Sequence, residues 1–427
     1  MILKLIKYYF SLLYWDRASL KSVKKMQLRK FREIFEYARE NSRFYKELYT
    51  KHGVMDLKIE SFEDIQKVPI VNKSILREFE INDIGTCEID DSLNIHSTSG
   101  STGEPFKIAY SKFEDYSSHV RLTREMMKYG YNPFKRMVLL SRYDNQHKFE
   151  VEGDVRLLQK LQKYLRFFPK DVISIFDPLP EVIKQLKEIK PYMIWSTPSY
   201  IHLLALELQK NDQKLNVPLC VLMAETISSE QLKLFRERVC KNVMDAYGCM
   251  EIPSMGFSYN SIDYKNLVVN TTFAEVINQR INNEAKIGDI IITNLINKTM
   301  PFIRYELGDF VGVLNEVEFP VKKIGKVHGR FEDILTMIDG STLSFHQTYQ
   351  LFHDFNEVLQ YKFIQLNDKN VVLQLRLKNL EESDKVKQIA EKKWRKYFPN
   401  VPLRIEFTDN FVIDKKTGKF KVIEKSK

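Results

Sequence analysis

Short apolar runs alternate with amphipathic helical segments through the middle of the chain, and this alternation limits the fold more than any other feature. Met137-Val-Leu-Leu140 reads as a strand buried on both faces. Apolar strand-like runs follow at 192–195, 217–223 and 242–246, interleaved with helical segments at 181–190, 199–210 and 228–239. Such alternation predicts parallel α/β architecture. Ligands of parallel sheets gather beyond the carboxyl ends of the strands. Two polar stretches fall at such ends: Met223-Ala-Glu-Thr226, which carries Glu225, and Asp245-Ala-Tyr-Gly-Cys-Met-Glu251.

The 427 residues suffice for one large core and a second module. With 44% hydrophobic and 29% charged residues the composition is that of a soluble globular protein. Cys87, Cys220, Cys240 and Cys249 show no C-x-x-C pairing, which argues against a zinc site or disulfide frame and fits a reducing cytoplasm. The net charge of +10 suits anionic ligands or surfaces. It is spread along the chain without a nucleic-acid-binding signature, so no nucleic-acid partner is expected.

In Met1–Trp15, Ile2, Leu3, Ile6, Tyr9, Phe10 and Leu13 recur at helical spacing, interrupted by Lys4 and Lys7. The segment is shorter than the ~20 apolar residues a bilayer span needs. No small-residue cleavage site follows, as a signal peptide requires. A helix packed on the body is the preferred reading, and a peripheral interfacial helix at the inner membrane face is the other. Residues 20–52 read as helical, with a break at Asn41-Ser42, and Ser61-Phe-Glu-Asp64 reads as a capping box. Phe106–Tyr110 is expected as a strand and Ser111–Tyr129 as a helix. From 264 to 314 the texture is β-rich, with strands expected at Gly288–Thr293 and Phe302–Asp309 about a turn at Lys298–Pro301. Gly308 permits a bend between Tyr305 and Asp309. Past a basic linker with Gly325, Gly329 and Arg330, hairpin strands at 359–365 and 371–377, a helix at 381–398 and a strand at 403–407 form a small α+β module.

The other candidate site is His96-Ser-Thr-Ser-Gly-Ser-Thr-Gly-Glu-Pro105. Gly100 and Gly103 let the backbone curl tightly. Successive N–H groups then face one concavity, an arrangement that attracts phosphate. Ser97, Thr98, Ser99, Ser101 and Thr102 add hydroxyl donors. Taken alone, the stretch reads equally well as a polar surface turn. It is not a Walker loop, because no Gly-Lys-Ser/Thr follows.

Five motifs occur in one order: Ser97–Pro105, Tyr247-Gly-Cys-Met-Glu251, Arg304-Tyr-Glu-Leu-Gly-Asp309, Gly329-Arg-Phe-Glu-Asp333 and Thr417-Gly-Lys419. Each is weak by itself; in register they resemble the adenylate-forming (acyl-CoA synthetase) superfamily. The chain is most similar to the phenylacetate–CoA ligase branch, which includes CapK-type proteins of capsular polysaccharide loci. Asn41–Tyr45, Ser61–Asp64 and His96 fit that branch too, and the resemblance covers nearly the whole chain after about residue 20.

The resemblance implies an N-terminal adenylation domain over 1–330, built of α/β sheets and a β-rich subdomain, and a small mobile α+β domain over 331–427. It implies ATP and Mg²⁺, with coenzyme A as one acceptor. A small-molecule carboxylate would attack the ATP α-phosphate, and a thiol, amine or hydroxyl would then displace AMP. In that scheme Ser97, Thr98, Ser99, Gly100, Ser101, Thr102 and Gly103 form the phosphate loop. Glu251 holds the metal, and Tyr247 and Gly248 flank the adenine. Asp309 grips the ribose hydroxyls, and Arg330 contacts ribose or phosphate. Glu225 lies on the substrate-side loop, and Lys419 is the catalytic lysine. Bland roles remain open for single residues: a helix cap for Glu251, a strand end for Asp309, an exposed linker cation for Arg330. Lys419 lies among Lys415, Lys416, Lys421 and Lys425, as in a solvated basic tail. The chain departs from the pattern at Glu104, where many relatives carry Lys, at Glu332, and at Cys249 and Met250, which replace smaller residues. The expected activity is an AMP-forming carboxylate ligase in the cytoplasm; an adenylyltransferase and a non-catalytic scaffold of the same fold are the alternatives.

Overall fold

A computed structural model describes residues 1–97, 106–141, 168–282, 285–314, 320–330, 335–339, 341–343, 348, 351, 357–408 and 422–426. The chain packs as two compact units, 1–130 with 244–327 and 131–243 with 328–427.

The first unit opens with helix α1 (Ile2–Arg17), which buries Tyr8 and Leu12. Ser19 caps α2 (Leu20–Asn41) through the Ser22 N–H. Ser42 ends α2 and caps α3 (Arg43–Lys51), so the break expected at Asn41-Ser42 is one residue serving two helices. Three short helices follow: α4 (Phe62–Lys67), α5 (Lys73–Leu76) and α6 (Ile81–Ile84). Ser61 and Asp64 form the anticipated capping box of α4. Strands β1 (Asn94–Ser97) and β2 (Lys107–Tyr110) pair antiparallel, with Ser97 opposite Lys107. Ser111 and Glu114 make a second capping box at the start of α7 (Lys112–Lys128).

The second unit begins as the alternating pattern predicts. Strands β3 (Met137–Ser141), β4 (Lys170–Ser174), β5 (Met193–Ser196) and β6 (Val217–Met223) run parallel, with β3 between β4 and β5 and with β6 beside β5. Helices α8 (Leu179–Ile189), α9 (Pro198–Lys210) and α10 (Ser229–Arg238) interleave with them. Lys170–Ser174 gave no strand signal in the sequence, since charged Lys170 and Asp171 open it and only Ile173 is buried.

Strand β7 (Cys240–Tyr247) carries the chain back to the first unit. There Met244–Tyr247 pairs antiparallel with β8 (Gly256–Tyr259), β8 with β9 (Tyr264–Leu267), and β9 with β13 (Lys323–Gly325). Strands β10 (Thr272–Asn282), β11 (Ala285–Asn294) and β12 (Tyr305–Gly312) form an antiparallel meander. Phe31, Phe35, Tyr45, Phe273, Ile290 and Phe302 belong to the apolar core shared by the meander and the N-terminal helices.

One expected strand is shorter than the sequence suggested. Phe302–Arg304 lies outside β12, which starts at Tyr305. Arg304 is left-handed (φ 46°), a conformation a strand does not hold. Its buried guanidinium donates to both carboxylate oxygens of Glu275, at 2.9 and 3.0 Å, and to the Gln66 and Val68 carbonyls. A buried charge needs such partners, and reaching them turns the backbone out of the strand. Gly308 is left-handed as well (φ 77°), and register slips between the Asp289–Phe310 and Ile291–Glu306 pairs. The expected bend is therefore a bulge immediately before Asp309.

After β14 (Val327–Arg330) and the short pair β15 (Leu335–Thr336) and β16 (Thr342–Leu343), the anticipated α+β module appears. Strands β17 (Val358–Gln365) and β18 (Val371–Leu377) form the hairpin; β19 (Leu403–Phe407) and β20 (Ile423–Lys425) flank it in parallel. Helix α11 (Ser383–Tyr397) buries Val386, Ala390 and Trp394, and the indole stacks on Phe363 at 5.7 Å.

Candidate active site

Tyr247 ends β7, and the loop after it folds back on itself. The Met255 N–H donates to the Tyr247 carbonyl at 3.0 Å and the Cys249 N–H to the Ile252 carbonyl at 3.2 Å. Gly248 makes this closure possible, because a Cβ there would lie 2.7 Å from the Ser254 nitrogen and 3.0 Å from the Ile252 oxygen. Glu251 is held at both its backbone and its side chain. Its carbonyl accepts from the Tyr110 hydroxyl at 3.0 Å and from Asn294 Nδ2 at 3.1 Å. Its carboxylate Oε1 accepts from the Tyr305 hydroxyl at 2.9 Å, and the residue is 95% shielded (5% exposed). Tyr110 also reaches the Met250 carbonyl. Burial, with Cys249 and Glu251 beside it, pushes the Tyr110 phenol far above its ordinary value, so it stays a donor at neutral pH.

Asp309 follows the bulge at Gly308, and its Oδ2 accepts from the Tyr247 hydroxyl at 2.7 Å. Residues 62 positions apart thus meet at hydrogen-bond distance. The Cys249 thiol is pushed well above its ordinary value by burial and then by the Glu251 and Asp309 charges, and it accepts from the Ile252 N–H at 3.3 Å.

The structure thus brings Tyr247, Gly248, Glu251 and Asp309 together in the first unit. Ser97 ends β1, and that hairpin is tied to the same loop because Tyr110 ends β2. His96, next to Ser97, bonds Asp115 Oδ1 at 3.0 Å, and its ring meets the Tyr110 ring edge-on at 5.8 Å. Thr98, Ser99, Gly100, Ser101, Thr102 and Gly103 lie outside the described residues, as do Lys419 and the side chain of Arg330.

Glu225 belongs to the second unit. It follows Ala224, which is left-handed (φ 72°). Its carboxylate accepts from the Ser199 N–H at 2.8 Å and the Ser199 hydroxyl at 3.0 Å, and so caps the start of α9.

Sequence reasoning did not find the residues that hold the carboxylates. Tyr305 lies inside a recognised motif, but its hydroxyl partner is 54 residues away. Tyr110 and Asn294 act through backbone carbonyls, which leave no signature in residue types. Arg304 and Glu275 anchor the start of β12, the strand that carries Tyr305 and Asp309.

Mixed α/β sheets thus bring a carboxylate loop that follows a strand end to a second carboxylate that follows a bulge. No protein-family profile matches the chain. It is 23% identical over 410 residues to the phenylacetate–coenzyme A ligase of Pseudomonas putida, covering 88% of each chain. It is 24% identical over 407 residues to protein CapK of Staphylococcus aureus, covering 90% of this chain and 85% of that one. Among solved structures, 2-hydroxyisobutyryl-CoA ligase in the postadenylation state shares the fold with a TM-score of 0.73 at 16% identity, covering 94% of this chain and 89% of that one. The chain is thus a homologue of the phenylacetate–coenzyme A ligases and of CapK, with the fold of the adenylate-forming CoA ligases.

Proposed function

We propose that this protein is an ATP-dependent, AMP-forming ligase that adenylates a carboxylate and transfers the acyl group to an acceptor. The observation that carries the reading is the convergence of Tyr247, Glu251 and Asp309, joined through the Tyr305–Glu251 and Tyr247–Asp309 bonds. Attack of a carboxylate on an α-phosphate brings two anions together, so positioning and charge neutralisation make up most of the catalysis.

In this reading Asp309 accepts from the ribose hydroxyls and Tyr247 flanks the adenine over Gly248. Glu251 presents a carboxylate fixed by Tyr305, a donor type that suits Mg²⁺, which binds through one or two carboxylates together with substrate phosphates and waters. When bound there, Mg²⁺ supplies neutralisation of the nucleotide phosphates. Residues Ser97–Gly103 cradle phosphate, and Arg330 contacts ribose or phosphate. Lys419 reaches the developing charge from a mobile C-terminal domain over 331–427, against an adenylation domain over 1–330. Glu225, as a helix cap, positions the substrate-side loop. The acceptor is coenzyme A, as the names of the ligase relatives state for those proteins, or an amine or hydroxyl of a surface-polysaccharide precursor, as the CapK relationship suggests. The reaction belongs to the cytoplasm, where ATP and coenzyme A are available.

Pyrophosphate release with ATP, Mg²⁺ and a panel of carboxylates tests the reading. Release with at least one carboxylate is expected, and Lys419→Ala should abolish it while sparing ATP binding. No release with any carboxylate, together with no ATP-induced rise in melting temperature, would leave a scaffold of the same fold. An AMP-linked product that persists when coenzyme A is added would indicate an adenylyltransferase.

A further inference from the structure

Helix α1 has two apolar faces, and among the described residues one is buried and the other is exposed. Tyr8 and Leu12 are buried, with Leu5 and Trp15 half-buried on the same side. That side packs on α7: the Tyr8 ring meets Phe113 edge-on at 6.1 Å, and its hydroxyl accepts from Arg121 at 3.0 Å. Asp16, the helix's single acid, pairs with Arg124 and Lys128. The helix is therefore packed on the body along one seam.

On the opposite side Ile2, Ile6, Phe10 and Leu13, with Leu3 and Tyr14 beside them, follow the spacing of a single helical face. All six are exposed, Leu3 by 74%, Phe10 by 63% and Tyr14 by 62%. A 16-residue helix is roughly 24 Å long, so this is a continuous apolar stripe and not scattered surface residues. Exposed Lys4 and Lys7 border it, Arg17 closes it, and exposed Lys21 and Lys25 follow on α2. No helix among the described residues is long and apolar enough to cross a membrane.

We infer that α1 is an in-plane membrane anchor that lays the Ile2–Tyr14 stripe into an anionic lipid surface. Charge decides the occupant. The only acid of α1 is already paired within the fold, so the helix meets its surroundings as a cation. A second copy seated on the stripe would bring like charges together, whereas an anionic headgroup layer neutralises them while the apolar side chains enter the acyl boundary. The fixed α1–α7 seam would then hold the whole protein at the surface.

Co-sedimentation of the full chain with vesicles tests this. Phosphatidylcholine vesicles with about a third phosphatidylglycerol should bind at least about tenfold more protein than phosphatidylcholine alone, and the excess should fall between about 0.1 M and about 0.5 M salt. Ile6→Asp with Phe10→Asp, and separately Lys4→Glu with Lys7→Glu, should each lower binding about tenfold with melting temperature retained. Wild-type protein that binds neither vesicle overturns the inference, as do variants that bind like wild type. Concentration-dependent dimers dispersed by the Ile6/Phe10 variant, without vesicle binding, would assign the stripe to a second copy and overturn it as well.

Discussion

The hydroxyl of Tyr305 donates to Oε1 of Glu251 at 2.9 Å, linking two motifs that the sequence separates by 54 residues. A buried carboxylate with one defined donor keeps a fixed direction, and hydrogen bonds to charged groups contribute about 1.5–3 kcal/mol. Tyr305→Phe removes the donor and keeps the ring that packs edge-on against Phe302 at 5.3 Å. Adenylation, read as ATP–pyrophosphate exchange, should fall about tenfold in Tyr305→Phe and by about a hundredfold or more in Glu251→Gln. Undiminished exchange in Glu251→Gln would remove that carboxylate from the machinery.

Gly248 yields a steric prediction. Its backbone is not left-handed, but an added Cβ would meet the Ser254 nitrogen at 2.7 Å. Gly248→Ala must therefore open the loop that carries Glu251, at a strain of about 1–3 kcal/mol. Titration calorimetry should show ATP affinity reduced about tenfold or more. Affinity equal to wild type would show that loop closure is not needed for binding.

Arg304 and Glu275 form a buried pair, with side chains 7% and 2% exposed. Arg304→Met leaves Glu275 buried without its cation and should cost about 3–5 kcal/mol in unfolding free energy. The loss should depend on pH. Burial already raises the Glu275 carboxyl above its ordinary value, against the pull of Arg304. Without Arg304 it rises further, so folding then favours the protonated acid, a form present at low pH and lost as pH climbs. Denaturant unfolding should show Arg304→Met less destabilised at pH 5 than at pH 8, and an equal deficit at both would contradict this account.

His96 and Asp115 make an opposite case at the base of the β1–β2 hairpin. The hydrogen bond to Asp115 raises the imidazole above its ordinary value, with burial opposing. Burial raises Asp115, but its bonds from His96 and Asn94 outweigh that and hold it below the usual carboxylate range. The raised His96 contributes stability that is complete below its unfolded value of about 6.5 and fades as pH rises through the folded one. The depressed Asp115 contributes above about 3.9 and is lost as pH falls through its folded value. Asp115→Asn should therefore lower the melting temperature most near pH 5–6 and least near pH 9. His96 is about a third exposed, so the effect should be about 1 kcal/mol or less. A larger deficit at pH 9 than at pH 5.5 would show that the pair is not the source.

Much of this protein was legible in one dimension. The 3.6-residue stripe of α2, the helix break at Asn41-Ser42, the capping box at Ser61, and the apolar runs at 137–140 and 217–223 are local, and each element formed where its own residues favour it. The order of the five motifs was legible as well, because a family's chemistry needs particular residue types at particular places along the chain. Lys170–Ser174 was not legible, since a strand opened by charges becomes one only by pairing with β3. Nor was the early end of the Phe302–Asp309 strand, which depends on where Arg304 finds Glu275, 29 residues back.

The sequence by itself determined which carboxylates, tyrosines and glycines the chain carries, and in what order along the chain they fall. Only the tertiary structure decided which of them touch. Tyr305 bonding Glu251, Tyr247 bonding Asp309, and α1 spending one apolar face on α7 while leaving the other exposed are long-range pairings. Local propensity acts over a few residues, whereas hydrogen-bond satisfaction and burial are settled by whichever groups the packed core brings within 3 Å of one another.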